Sequence, residues 1–195
     1  MPTDRRRDVP LFPLGTVLYP GGRLPLRLFE PRYLAMLRAC VSDGTGFGVC
    51  LIQEGKEVGS PAMPADMGCL ASIIEWDMPE PDLYLVMAAG TERFRVLSTR
   101  VQDDGLLRGD VVTLEPESGG PVPESHALCV QVLRQLIERV GDAWFPPPHH
   151  FEDASWVSYR LAEVLPFDAL EKQRMLVAND PLARLDRALH LIRRG

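Results

Sequence analysis

The chain has 195 residues, 46% apolar and 25% charged, with a net charge of −6 and a pI of about 5.2. That length and mixture suit one sizeable domain or two small ones with a packed core, and they exclude a disordered chain. The acidity argues against a protein that grips nucleic acid through its phosphates, and no run approaches the roughly 20 apolar residues of a membrane helix.

Arg5, Arg6 and Arg7 form a compact basic run that reads as a solvated, frayed terminus. Pro10 and Pro13 interrupt the next stretch, so no secretion signal is expected, and a cytoplasmic protein is. From Leu11 to Tyr33, strand-forming apolar residues alternate with Pro13, Pro20, Pro25 and Pro31. Proline fixes φ and removes a donor, so this run predicts short extended pieces joined by bends, then a helix.

Helical spacing of Leu34, Leu37 and Val41 behind Pro31 predicts that helix over 31–41. Strands are predicted over 47–52, 68–76, 83–88, 92–99 and 106–114. Residues 53–67 read as a loop, Ala89-Gly90-Thr91 and Asp103-Asp104-Gly105 as turns, and Trp76 as partly buried in a solvated acidic hairpin loop. Many short strands between turn signals predict a closed or nearly closed barrel.

The texture changes near residue 118, which predicts two subdomains, 1–118 and 119–195, joined at Ser118-Gly119-Gly120-Pro121-Val122-Pro123. A helix over 123–140 places Cys129, Val132, Leu133, Leu136, Ile137 and Val140 on one side. Asp153, Asp168 and Asp180 each stand where a helix cap belongs. The last helix places Leu182, Leu185, Leu189 and Ile192 on its core face and Arg184, Arg187 and Arg194 on its outer part.

Chemistry is sparse. Phosphate-loop, nucleophile-elbow, zincin, dinucleotide and EF-hand patterns do not occur. Cys40, Cys50, Cys69 and Cys129 lie among apolar neighbours and read as buried hydrophobes rather than disulfides or metal ligands. His149, His150, Glu152 and Asp153 are the densest set of metal-capable side chains, though neighbours in an extended loop point apart. His126 and Cys129, three apart, share a helix face. No metal and no cofactor is expected.

Several ordered segments resemble the Lon protease amino-terminal (substrate-binding) domain family. They are the opening run, Met67-Gly68-Cys69-Leu70-Ala71-Ser72-Ile73-Ile74-Glu75, Gly90-Thr91-Glu92-Arg93-Phe94-Arg95-Val96, Leu161-Ala162-Glu163-Val164-Leu165-Pro166-Phe167, Lys172-Gln173-Arg174-Met175-Leu176 and Asp180-Pro181-Leu182-Ala183-Arg184-Leu185. The resemblance implies an α+β fold, a PUA-like, mostly antiparallel β-barrel of about six strands followed by a carboxyl-terminal helical bundle. It implies a non-catalytic module that helps select unfolded or tagged polypeptides. In the full-length proteases such a module precedes an ATPase and a Ser-Lys peptidase domain, and neither is expected here.

A groove between barrel and bundle is the expected peptide site, with Leu18, Tyr19, Leu24, Met63, Met67, Met78 and Tyr84 as its contacts. Taken singly, Leu11, Phe12, Leu18 and Leu24 read first as core, and Arg27, Glu30 and Arg32 read as pairing with one another or capping turns. An RNA- or nucleotide-binding module is the alternative that the fold alone suggests, and a small enzyme centred on His149, His150 and Glu152 is the third.

Overall fold

The computed structural model describes residues 4–117 and 119–194, so Ser118 of the expected joint lies outside the described residues. Two compact units are present, Met1–Pro116 and Glu117–Gly195. No described helix is long and apolar enough to cross a membrane.

The first unit contains β1 (Arg5–Leu14), β2 (Arg23–Leu28), α1 (Pro31–Asp43), β3 (Phe47–Glu54), β4 (Met63–Glu80), β5 (Leu83–Val101) and β6 (Leu107–Thr113). The strands pair in the order β2-β5-β4-β3-β1-β6, and β6 pairs again with β5. Five strands therefore close into a ring. Among the described residues only β1 and β3 run parallel, with Leu11 beside Gly48 and Leu14 beside Leu51, and the chain between them passes through β2 and α1. β5 serves two neighbours in turn: its first part pairs with β2 (Leu28↔Tyr84 to Arg23↔Ala89) and its second part with β6 (Phe94↔Thr113 to Val101↔Leu107).

That arrangement corrects three expectations. Ala89-Gly90-Thr91 is not a turn, because β5 runs through it unbroken. Gly90 is small for another reason: a Cβ there would stand 2.0 Å from the Tyr19 carbonyl oxygen, where the loop before β2 exchanges hydrogen bonds with the strand (Gly21 N–H to Gly90 O, 2.8 Å; Gly90 N–H to Gly22 O, 2.9 Å). Trp76 lies within β4, not in a loop; it is half exposed and its ring centroid is 5.6 Å from that of Tyr84. Arg5–Arg7 do not fray. They open β1 against β6, with Arg5 facing Asp110 at 3.5 Å and Arg6 facing Glu92 at 2.6 Å. Strand pairing takes up the backbone of Arg5 and Arg6, and these carboxylates take up their charge.

Among the described residues, two large apolar clusters lie in this unit. One lies inside the ring around Leu11, Cys50, Leu70, Phe94, Leu107 and Val111. β6 shows the pattern that builds it, burying Leu107, Gly109, Val111 and Thr113 and leaving alternate residues half exposed. The other lies between the sheet and α1 and includes Phe12, Leu28, Tyr33, Leu37, Phe47, Tyr84 and Val86. Cys40, Cys50 and Cys69 are all buried as free thiols.

The second unit opens with a 3₁₀ turn (Glu124–His126), followed by α2 (Ala127–Val140), α3 (Ala154–Val164), α4 (Ala169–Val177) and α5 (Pro181–Ile192). Three aspartates start helices as predicted: Asp153 accepts from Trp156 N–H at 2.9 Å, Asp168 from Glu171 N–H at 2.7 Å and Asp180 from Leu182 N–H at 2.9 Å. Cys129, Leu133, Ile137, Val157, Leu161, Leu185 and Leu189 form its core. Val140 and Leu182, expected on core faces, are exposed at helix ends.

The largest correction concerns Arg184, expected on the outer part of α5 and in fact 0% exposed. It is held by Glu117, Ser155 and Ser158, and its guanidinium lies 4.0 Å from the centre of the Tyr159 ring. Arg187 pairs with Glu171 on the surface.

Candidate functional site

The first unit carries a cleft of about 300 Å³ along β2. The end of β1 and the following loop contribute Phe12, Leu14 and Thr16; β2 and the start of α1 contribute Leu24 to Glu30 and Tyr33; the β3–β4 loop contributes Glu57 and Val58. Phe29 and Val58 are 52% and 56% exposed. Isolated large apolar side chains on a surface are ordinary, but two that line the same concavity form a contact surface.

The walls are braced by charge. Glu57 Oε1 accepts from Gly15 N–H at 2.5 Å, which ties the β3–β4 loop to the end of β1. Glu30 Oε2 accepts from Arg32 Nη2 at 2.9 Å and from Gly59 N–H at 3.4 Å. Arg32 also donates to the Gly105 carbonyl at 3.2 Å and lies 4.6 Å from the centre of the Tyr33 ring. Tyr33 in turn packs on Phe12, with centroids 4.2 Å apart. Burial pushes the Tyr33 hydroxyl pKa up; the Arg32 charge opposes this, and Glu30 and Glu57 reinforce it. Both carboxylates are thus occupied in fixing backbone, and the exposed lining sets the apolar Pro25, Phe29 and Val58 among Thr16, Arg27 and Glu57. The arrangement offers a place for apolar side chains rather than a poised acid and base.

All seven predicted contact residues belong to the first unit, and the structure disperses them. Leu18, Tyr19, Met67 and Tyr84 are buried in the interior. Met63 is exposed at the start of β4, and Met78 is exposed near its end. Leu24 alone of the seven lines the cleft. Arg32 and Glu30 do pair, as one expectation had it, while Arg27 is exposed. The opening run and the β3–β4 loop meet at the cleft; the expected 53–67 loop is shorter, because β3 runs to Glu54 and β4 starts at Met63. Phe29 and Val58 were not singled out. Val58 carried a usable signal, since a β-branched apolar residue in Gly55-Lys56-Glu57-Val58-Gly59-Ser60 has no strand of its own to pack.

The histidines do not converge. His149 Nε2 is bonded to the Phe145 carbonyl at 2.8 Å, and its ring packs near Phe151 and Trp156. His150 approaches Glu152 at 3.7 Å. His126 is bonded to Asp186 at 2.9 Å, and Cys129 Sγ lies 3.8 Å from the Leu185 carbonyl in the core. Among the described residues, no three His, Cys, Asp or Glu side chains are grouped to hold a metal ion.

A five-strand ring with an added strand, followed by helices, defines the α+β, PUA-like class. The N-terminal domain of the Mycobacterium avium complex Lon protease has the same fold, with a TM-score of 0.65 at 16% identity over 95% of this chain and 97% of that one. A Lon N-terminal domain protein from Xanthomonas campestris is more similar, with a TM-score of 0.78 and 36% identity over 94% of this chain and 97% of that one. The family model of the ATP-dependent protease La (LON) substrate-binding domain matches residues 8–194, and the chain belongs to that family. Lon protease 2 of Myxococcus xanthus is 27% identical over 98% of this chain and 24% of its own length. Protein cereblon of Danio rerio is 31% identical over 68% of this chain and 30% of its own length. The chain thus spans less than a third of the curated relatives it matches.

Proposed function

We propose that the chain is a non-catalytic recognition module that takes apolar side chains of extended polypeptides into the cleft along β2. The observation that carries this reading is the cleft itself, in a family whose model describes a substrate-binding domain. Phe29 and Val58 supply exposed apolar contact, and the Glu57 and Glu30 bonds hold the facing loop.

β2 is also an edge strand that, among the described residues, pairs only with β5. Edge strands can recruit an extended peptide by backbone pairing. Here β2 has six residues with Pro25 among them and Arg27 exposed, features that blunt an edge. Binding energy on this reading comes from apolar side chains entering the cleft, with strand pairing secondary.

The test is fluorescence anisotropy with a labelled, reduced and carboxymethylated polypeptide that cannot fold. Phe29→Glu and Val58→Glu change exposed positions. Placing a charge in the contact costs on the order of 1–3 kcal/mol, so each variant is expected to weaken binding by about tenfold or more. Unchanged affinity in both variants overturns the reading.

A further inference from the structure

β4 and β5 run past the ring, and with β2 they form a three-stranded extension. One face of it carries Leu26, Leu28, Tyr84, Val86 and Ala88 into the core. The opposite face is open. Register places Pro25 beside Met87 and Met87 beside Glu75; it places Arg27 beside Leu85 and Leu85 beside Asp77. Two transverse rows result, Pro25–Met87–Glu75 and Arg27–Leu85–Asp77. Leu85 is 44% exposed, Pro25, Arg27, Glu75 and Asp77 are exposed, and the shallow depression over them has a volume of about 570 Å³.

The charges on this face are sorted. The β2 side is basic, the β4 side is acidic, and the β5 ridge between them is apolar. Among the described residues, no ion pair takes up Arg27, Glu75 or Asp77. A partner of one sign would satisfy one flank and repel the other. A second copy of the same face satisfies both. If two copies meet face to face about a two-fold axis parallel to β5, β2 of each lies over β4 of the other. Arg27 then meets Asp77 twice, and Leu85 and Met87 meet their own counterparts. The strands of the two sheets stay aligned, the usual geometry of stacked sheets about 10 Å apart. An isologous contact requires this kind of self-complementarity.

We propose that this face is a homodimer interface, with a second copy of this chain as its occupant. Pro25 and Arg27 also line the cleft, but the readout here is mass in the absence of any polypeptide, so the two readings fail separately.

Sedimentation equilibrium tests it. The wild-type protein is expected to reach twice the 21.7 kDa of the chain as concentration rises through the micromolar range. Arg27→Asp alone sets Asp against Asp, and Asp77→Arg alone sets Arg against Arg; each is expected to weaken the dimer by roughly tenfold or more. An equimolar mixture of the two variants restores both contacts and is expected to dimerise, as is the double variant R27D/D77R. Both positions are exposed, and far-ultraviolet circular dichroism checks that each variant is folded. A monomeric wild type, a dimer indifferent to the single swaps, or a mixture and double variant that stay monomeric would each overturn the proposal.

Discussion

Each unit keeps an arginine–glutamate pair away from water, and the two pairs are built differently. In the second unit Arg184 is fully buried and all three of its nitrogens are met. Nε donates to Ser158 Oγ at 3.0 Å, Nη1 to Glu117 Oε2 at 2.9 Å and to the Ala178 carbonyl at 2.8 Å, and Nη2 to Glu117 Oε1 and Ser155 Oγ. In the first unit Arg32 bonds Glu30 and Gly105, but its Nε has no hydrogen-bond partner among the described residues. The first arrangement is a staple that joins residue 117, α3, the end of α4 and α5. The second is a brace, because Glu30 spends part of its capacity on Gly59 in the loop that walls the cleft. One pair serves the fold; the other couples the fold to a candidate binding surface.

Arg184→Ala is expected to produce the largest effect. Removing one partner of a buried pair leaves an uncompensated charge and costs on the order of 3–5 kcal/mol. Urea denaturation followed by circular dichroism measures it, and a loss smaller than that of Arg32→Ala would break the comparison. The staple also has a pH signature. Burial pushes the Glu117 carboxyl pKa up, but hydrogen bonds from Arg184 and Ser155 and the Arg184 charge outweigh it, so the net shift is below the ordinary 4.5. A carboxylate with a depressed folded-state pKa adds stability above its unfolded value and loses it as pH falls through the folded value. The stability gap between the wild type and Glu117→Gln is therefore expected to narrow as pH drops below about 4.5. A gap that widens there would contradict the assignment.

Arg32→Ala is expected to cost less, about 1–3 kcal/mol, because it removes fewer hydrogen bonds and leaves Glu30 with Gly59 as a remaining contact. Its distinguishing effect is local. Backbone amides of residues 55–62 should exchange faster in the variant, while those of α3 and α5 keep their protection. Hydrogen exchange reads this directly, and an unchanged loop would mean that Glu57 and Gly15 hold it without help.

The same contrast explains what the sequence revealed and what it concealed. Helix starts were readable because the signal is local: Asp153, Asp168 and Asp180 each cap the backbone two or three residues on. The ring was readable as a set of short strands because turn residues punctuate it. Gly90 misled because glycine also marks close approach, and the backbone that approaches belongs to Tyr19, 71 positions earlier. Arg184 misled for a related reason. Helical spacing put Leu182 inward and Arg184 outward, but Glu117 lies 67 positions away in sequence, and only folding brings that countercharge beneath α5. The cleft suffers the same way: Val58 and Phe29 become neighbours through a loop tied by Glu57, and no spacing rule predicts that bond.

Met63 and Met78 mark the small end of the scale. Both are adaptable apolar side chains, the reason to expect them at a peptide site. Adaptability binds a client only where neighbouring walls close around it, and neither methionine lines the cleft. Met63 stands beside Glu54 at the start of β4, and Met78 lies near the β4–β5 turn. Met63→Ala and Met78→Ala are expected to change stability by no more than about 0.5 kcal/mol, as exposed substitutions do. Anisotropy with the same unfolded polypeptide should give wild-type affinity for both, against roughly tenfold loss for Val58→Glu. Should Met78→Ala weaken binding while Val58→Glu does not, the contact surface would sit at the tip of the β4–β5 hairpin. The braced loop around Gly59 would then be only a structural feature of the barrel, and the contrast between staple and brace would collapse into two staples.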